Sequence, residues 1–271
     1  MRNALPFVVV GIVCLAGCGG MLGPNDATTT PTTPAQIPTD SPLNTLPNGL
    51  SEERVDPLVI TATHTEALEN TSFTVVYGQS LTAENGTALV NATATTRVSA
   101  NHSVAYSTSR YDAGTSVWFE SSVRDVERWF TGSDYFFRGE GPDGPVYVSP
   151  PAAGTPEGIP SSTLQQYYTE TELTNLSTDD GMLVLRLHGL SGQQYAGSVP
   201  ITVTEGTVTV TMSADGRVEG YRVEYTGHLS NSPEQSVEGT RTAQFGAFGT
   251  TTVEPPEWLG DAREATANAT D

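Results

Sequence analysis

The chain has 271 residues, 31 acidic and 12 basic, for a formal net charge of −19, and every basic residue is an arginine. Apolar residues make up 37 % and charged residues 16 %, too apolar a mix for a fully disordered chain. So acidic a chain does not grip nucleic acid by its phosphates or dock on a membrane through a basic patch, and its length allows one large β domain or two small domains.

Residues 1–17 read as a secretory signal. Arg2 precedes an apolar run that includes Phe7, Val8, Val9, Val10, Ile12, Val13 and Leu15. The run is shorter than the roughly 20 residues a membrane-crossing helix needs. Leu15-Ala16-Gly17-Cys18 has the layout of a lipobox, with Leu at −3, small residues at −2 and −1, and then the cysteine that receives lipid. Cys18 is therefore the expected lipid attachment site. After cleavage it is the sole cysteine left, which excludes a disulfide, a thiolate metal site and a cysteine nucleophile.

Residues 18–50 follow as a tether. Between Pro24 and Pro47 there are six Pro, seven Thr and no aromatic residue, so the segment is expected to be extended and solvated. Residues 51–271 form one expected β-rich domain, with 262–271 disordered. This part holds 29 acids against 11 arginines, a net −18. Acidity of that size without lysine resembles the proteins of extreme halophiles, where molar salt shortens the Debye length to a few Å and makes self-repulsion tolerable.

The domain opens with a helix. Asp56 can cap it, with Pro57 at its first position. Leu58, Thr61, Ala62, Thr65, Leu68 and Glu69 follow at helical spacing, to about Asn70. A hairpin comes next. Phe73, Val75, Tyr77 and Leu81 share one parity, and Ala88, Val90, Ala92, Ala94 and Val98 share the opposite one across Asn85-Gly86. A two-residue type I′ turn there pairs Leu81 with Val90, Tyr77 with Ala94 and Phe73 with Val98, placing both apolar sets on one face. The other face is Thr, Ser and Asn, and is expected to be wet.

Further strands are expected at about 103–110, 115–120, 123–130 and 133–139, then a Gly/Pro-rich loop over 140–160 and a short helix over Thr163 to Thr169. Met182 to His188 is a strand with Leu183, Leu185 and Leu187 on one side. A second hairpin turns at Asp215-Gly216, pairing Val210 with Tyr221 and Val208 with Val223, with Gly220 marking a bulge. A last strand covers about 235–249, and Trp258 anchors the end. The sum is mainly β with one or two helices (α+β): a curled antiparallel sheet, or half-barrel, of eight to eleven strands with its apolar face covered by the helices.

Lipobox, Pro/Thr tether, helix, strands, short helix and further strands resemble, in element order, the LolA/LolB-like and LppX/LprG-like envelope lipoproteins. The segments Val117-Trp118-Phe119-Glu120 and Val253-Glu254-Pro255-Pro256-Glu257-Trp258-Leu259 resemble haloarchaeal lipoproteins of unassigned function. The first resemblance implies a curled sheet with helices inside it, holding a lipid or another apolar ligand. Neither supplies a catalytic motif.

Residue chemistry agrees with a non-enzyme. His64, His102, His188 and His228 have no metal-ligand spacing, and each is expected on the surface or in the sheet. Asp179-Asp180 before Gly181 suits a turn better than a Ca²⁺ loop. Gly139 to Gly144 carries acids and no lysine, and so reads as a loop and not a phosphate cradle. Trp118, Phe119, Trp129, Phe130, Tyr135 and Phe137 belong to an aromatic cluster that is either sheet core or a cavity wall. Asn70, Asn85, Asn91, Asn101, Asn175 and Asn268 head Asn-x-Ser/Thr sequons and are candidate N-glycosylation sites. The expected protein is a non-enzymatic lipoprotein on the extracytoplasmic face of the cell membrane, with no cofactor, no metal and no nucleic acid, that holds a lipid or other apolar ligand. The alternative is a surface structural or interaction lipoprotein whose core is filled.

Overall fold

Asp56 caps the first helix as expected. Its Oδ1 accepts the N–H groups of Leu58 and Val59, each at 3.2 Å, and α1 runs Pro57–Leu68. The buried stripe is rotated from the expected one: Ile60, Thr61, His64 and Leu68 face inward, while Leu58 is 66 % exposed. The i, i+4, i+8 series of Ile60, His64 and Leu68 sets that face. Thr61, Thr63 and Thr65 return their hydroxyls to the carbonyl four residues back, which satisfies them within the helix.

The structure is a computed structural model and describes residues 45–114, 123–132, 134–149 and 161–267. All of these lie within one unit, Asp40–Asp271. The signal segment, Cys18, nearly all of the tether, the strand expected at 115–120 and Asn268 fall outside the described residues.

After α1 come β1 (Phe73–Ala83), β2 (Ala88–Val98), β3 (Val104–Ala113), β4 (Asp125–Thr131), β5 (Asp134–Gly141) and β6 (Gly144–Val148). Helix α2 (Ser161–Glu170) separates them from β7 (Glu172–Asp179), β8 (Met182–His188), β9 (Gly192–Ala196), β10 (Val199–Met212), β11 (Val218–Leu229) and β12 (Ser232–Gly246), and α3 (Leu259–Ala267) closes the described chain. The strands form one antiparallel twelve-stranded sheet, ordered β6-β5-β4-β3-β2-β1-β12-β11-β10-β8-β7, with β9 pairing the far end of β10. The protein is thus mainly antiparallel β with three helices, an open, curled sheet.

Both predicted hairpins have their predicted register. Phe73 pairs with Val98, Tyr77 with Ala94 and Leu81 with Val90, while Val208 pairs with Val223 and Val210 with Tyr221. The turns differ from expectation. Gly86 has φ +82°, but Asn85 does not enter the left-handed region, so the turn is not type I′. Instead Gly86 N–H donates to the Ala83 carbonyl and Ala83 N–H to the Thr87 carbonyl, a three-residue loop. This loop shifts the pairing by one residue, and a bulge between Leu81 and Thr82 shifts it back. The second hairpin repeats the device. Gly216 closes a loop from Ser213 to Arg217, and a bulge next to Gly220 restores the register. The two-residue turn with both residues left-handed occurs elsewhere, at Asp180-Gly181 between β7 and β8.

Three strands escaped the sequence reading. β6 lies in the segment expected to be loop; it is a short edge strand carrying Pro145, where a missing N–H costs nothing. β7 is the opposite edge and mostly exposed, and β9 is a five-residue addition to β10. At the end of the chain, α3 is helical through Ala267, inside the segment expected to be disordered.

α1 and α2 cover one face of the sheet. Ile60, Leu68, Leu164, Tyr167 and Tyr168 pack there with Phe73, Val75, Leu81, Leu185, Val208, Val210 and Val223. The opposite face is largely Thr and charged residues, except under α3, where Trp258, Leu259 and Ala262 join Trp129 and Phe136. Glycine shapes the inner face at one point: a Cβ on Gly239 would sit 2.1 Å from the ring of Tyr225, its cross-strand partner, so only glycine lets that ring lie flat across β12.

Candidate functional site

On the helix-covered face, the strands at the middle of the sheet carry small side chains. Ala92 and Ala94 of β2 and Ser109 of β3 sit between Tyr77 of β1 and Tyr111 at the far end of β3. Small residues at the centre of a curled face leave space that α1 and α2 do not fill. The result is an open cleft of about 330 Å³, walled by these residues, by Tyr221 and by Thr163 and Tyr167 of α2. β9 forms one rim: Gly197 N–H donates to Gln79 Oε1 at 3.0 Å, and Tyr195, 65 % exposed, stands beside the opening.

Two arginines enter the cleft. Arg128 donates through Nη2 to Tyr111 Oη at 3.1 Å and lies 5.6 Å from the centre of the Phe137 ring. Arg241 donates through Nη1 to Tyr167 Oη at 3.4 Å and through Nη2 to the Tyr195 carbonyl, and its guanidinium lies 5.7 Å from the Tyr225 ring centre. Its Nε, closed off from solvent, has no acceptor. Burial opposes the charge on Arg241, but Tyr167 and Tyr225 outweigh it and hold the pKa above the ordinary arginine value. Burial pushes the Tyr221 phenol well up, so it stays neutral. Among the described residues, no Asp or Glu lines the cleft.

The expected aromatic wall lies elsewhere. Trp118 and Phe119 are outside the described residues. Trp129 points to the opposite face, tilted against Tyr106 and covered by α3. Phe130, Tyr135 and Phe137 share the cleft's face but pack on each other, with ring centres 5.8 Å and 4.6 Å apart. None of these four lines the cleft. Adjacent aromatics such as Trp129-Phe130 point to opposite faces of a strand, and composition alone does not separate them.

The histidines do not converge. His64 is buried in α1, against the expectation of a surface or sheet position, because α1 turns that face to the core. Its Nδ1 accepts the N–H of Val218 at 3.0 Å, its ring meets Phe245 edge-on, and burial, aided by Arg217, lowers its pKa to about 4. His102 contacts the Thr71 carbonyl at 3.2 Å, and His188 the Thr207 hydroxyl at 3.3 Å. Among the described residues no group of three or more His, Cys, Asp or Glu could hold a metal ion, and no helix is long and apolar enough to cross a membrane. Asn70, Asn85, Asn91, Asn101 and Asn175 are all exposed.

A second cluster, on the opposite face, was not foreseen. Glu127 accepts from Tyr106 Oη, from Trp258 Nε1 at 2.9 Å and from Arg138 Nη1 at 2.7 Å. Burial raises the Glu127 pKa, but these three donors outweigh it and hold the carboxyl below its usual range. Burial and Glu127 in turn raise the Tyr106 phenol. The cluster joins β4 to α3 across 131 positions of sequence, a separation no local pattern signals.

The fold and cleft define a helix-lined, open antiparallel sheet with a small mixed pocket. The chain belongs to a family of unknown function (DUF7537), which it matches over residues 4–262. No curated protein matches it.

Proposed function

We propose that this is a membrane-anchored extracytoplasmic lipoprotein, held by lipid on Cys18, that carries a small ligand in its cleft and has no enzymatic activity of its own. In this proposal the sheet is a LolA-like half-barrel whose inner face is shared between helices and ligand. The observation that carries it is the open cleft of about 330 Å³ on the face that otherwise forms the core, within the range of small-molecule sites. The lipobox Leu15-Ala16-Gly17-Cys18 and the Pro/Thr tether support the anchoring, and the −19 charge without lysine supports a high-salt setting.

Two measurements test it. Cys18→Ser should move the protein from the membrane fraction to the soluble fraction or the medium; unchanged fractionation overturns lipid anchoring. Mass spectrometry of organic extracts from natively purified protein should find one class of small molecule in stoichiometric amount. An extract empty of such a molecule, together with no saturable uptake of small amphiphiles, favours the structural lipoprotein with a filled core.

A further inference from the structure

We propose that the cleft selects an organic anion: one oxyanion group bound at Arg241, on an apolar body that lies against the tyrosines. This deepens the ligand-carrying proposal and rests on it. Three observations converge. The first is charge. In a chain with 31 acidic and 12 basic residues, Arg241 makes no ion pair among the described residues, and among the described residues no carboxylate lines the cleft it borders. Four other described arginines have carboxylate partners: Arg110 with Asp112 and Asp125, Arg138 with Glu127 and Glu140, Arg217 with Glu219, and Arg222 with Glu224. An acidic surface offers partners in abundance, so a half-buried guanidinium left with a phenol, a carbonyl and a ring has an unmet demand for an anion.

The second observation is donor geometry. Arg241 spends one Nη hydrogen on Tyr167 and one on the Tyr195 carbonyl, and its buried Nε–H has no acceptor. The second hydrogen on each Nη has no acceptor among the described residues, and a guanidinium in this state can take an oxyanion. Arg128 enters the same cleft, and Thr163, in the first turn of α2, lines it too. The first turn of a helix adds a positive partial charge. The third observation is the body of the site. Tyr77, Tyr221, Ala92 and Ala94 give it apolar walls, and the exposed Tyr195 stands at its rim. A bare inorganic ion uses none of these surfaces.

The test uses two fluorescent probes with the same ring system, the sulfonate 1-anilinonaphthalene-8-sulfonate and the neutral N-phenyl-1-naphthylamine. They are titrated into the intact protein in molar salt, where long-range repulsion is screened and direct contact persists. The sulfonate should bind saturably and roughly ten- to a hundredfold tighter than the neutral probe, the range for hydrogen bonds to a charged group. Arg241→Gln should remove that preference and leave the neutral probe's affinity unchanged. Should Arg241→Gln unfold, Thr163→Asp serves instead: it suits a helix first turn, spares Arg241, and should weaken the sulfonate alone. Decanoate should displace the bound sulfonate, while decanol and inorganic phosphate at equal concentration should not. Equal affinity for the two probes overturns the anion selectivity but leaves a ligand-carrying cleft standing. Displacement by inorganic phosphate as effective as by decanoate overturns the apolar body. Saturable binding of neither probe overturns this inference and the carrier proposal together.

Discussion

Acid should weaken this protein through one side chain. His64 is 1 % exposed, its Nδ1 accepts the Val218 N–H at 3.0 Å, and its pKa is lowered to about 4 from 6.5 by burial and Arg217. Protonation would remove the acceptor and leave a buried cation close to Arg217. Because the folded-state pKa lies below the unfolded one, the stability tied to neutral His64 is complete above about pH 6.5 and is lost as pH falls through about 4. A difference of two to three pKa units corresponds to about 3 kcal/mol in the acid limit, and to about 2 kcal/mol already at pH 5. Many carboxylates titrate over the same range, so the parent's curve alone does not isolate the effect. His64→Gln keeps a polar side chain that can accept from Val218 and does not titrate. Denaturant unfolding of both proteins in molar salt at pH 8 and pH 5 supplies the comparison. The parent should be the more stable at pH 8, and its advantage should shrink by about 2 kcal/mol at pH 5. Parallel pH curves for the two proteins would refute the reasoning, since the carboxylate titrations common to both cancel.

Gly86→Val places a β-branched residue at φ +82° with open space around its Cβ. It should therefore cost about 1–3 kcal/mol through backbone strain and not through a clash; a melting temperature equal to the parent's would mean that the Ala83–Thr87 loop is wrongly described. Trp258→Phe keeps the ring on Trp129 and Phe136 but removes the donor to Glu127 Oε2. The cost should be about 1–2 kcal/mol, because Tyr106 and Arg138 still hold the carboxylate. Amide exchange should then rise in α3 and not in α1 or α2, which lie on the other face; uniform loss of protection would contradict the two-faced arrangement.

Much of this fold was legible because its signals are local. Asp56 before Pro57 has the layout of a helix cap, so α1 began where expected. Two runs of alternating parity around Asn85-Gly86, and two more around Asp215-Gly216, fixed the register of four long strands, since a slip by one residue would turn Phe73, Val75 and Leu81 out of the core. The turns themselves were misjudged because a three-residue loop followed by a bulge yields the same distant register as a two-residue turn. Strands without a buried face left no periodic trace. β7 is mostly exposed, and β6 hides among glycines and prolines, so both edges of the sheet were invisible in the sequence.

The functional face was not legible for a different reason. Which of Trp129 and Phe130 points inward depends on the pairing of β4 with β3 and β5, and neighbouring aromatics give no parity to read. Arg241 lies 74 positions from Tyr167 and 46 from Tyr195, and it meets them only because β12 sits at the centre of the sheet with α2 and β9 folded over it. The sequence by itself determined the acidic arginine-only composition and the antiparallel pairing of the two hairpins, because the first is a matter of residue types and the second is written in a period of two. Only the tertiary structure decided that small side chains from β2 and β3 would open a cleft beneath α2 and that Arg241 would stand in it with no carboxylate partner among the described residues. That outcome depends on which distant strands become neighbours, and side-chain patterning along any one strand does not encode it.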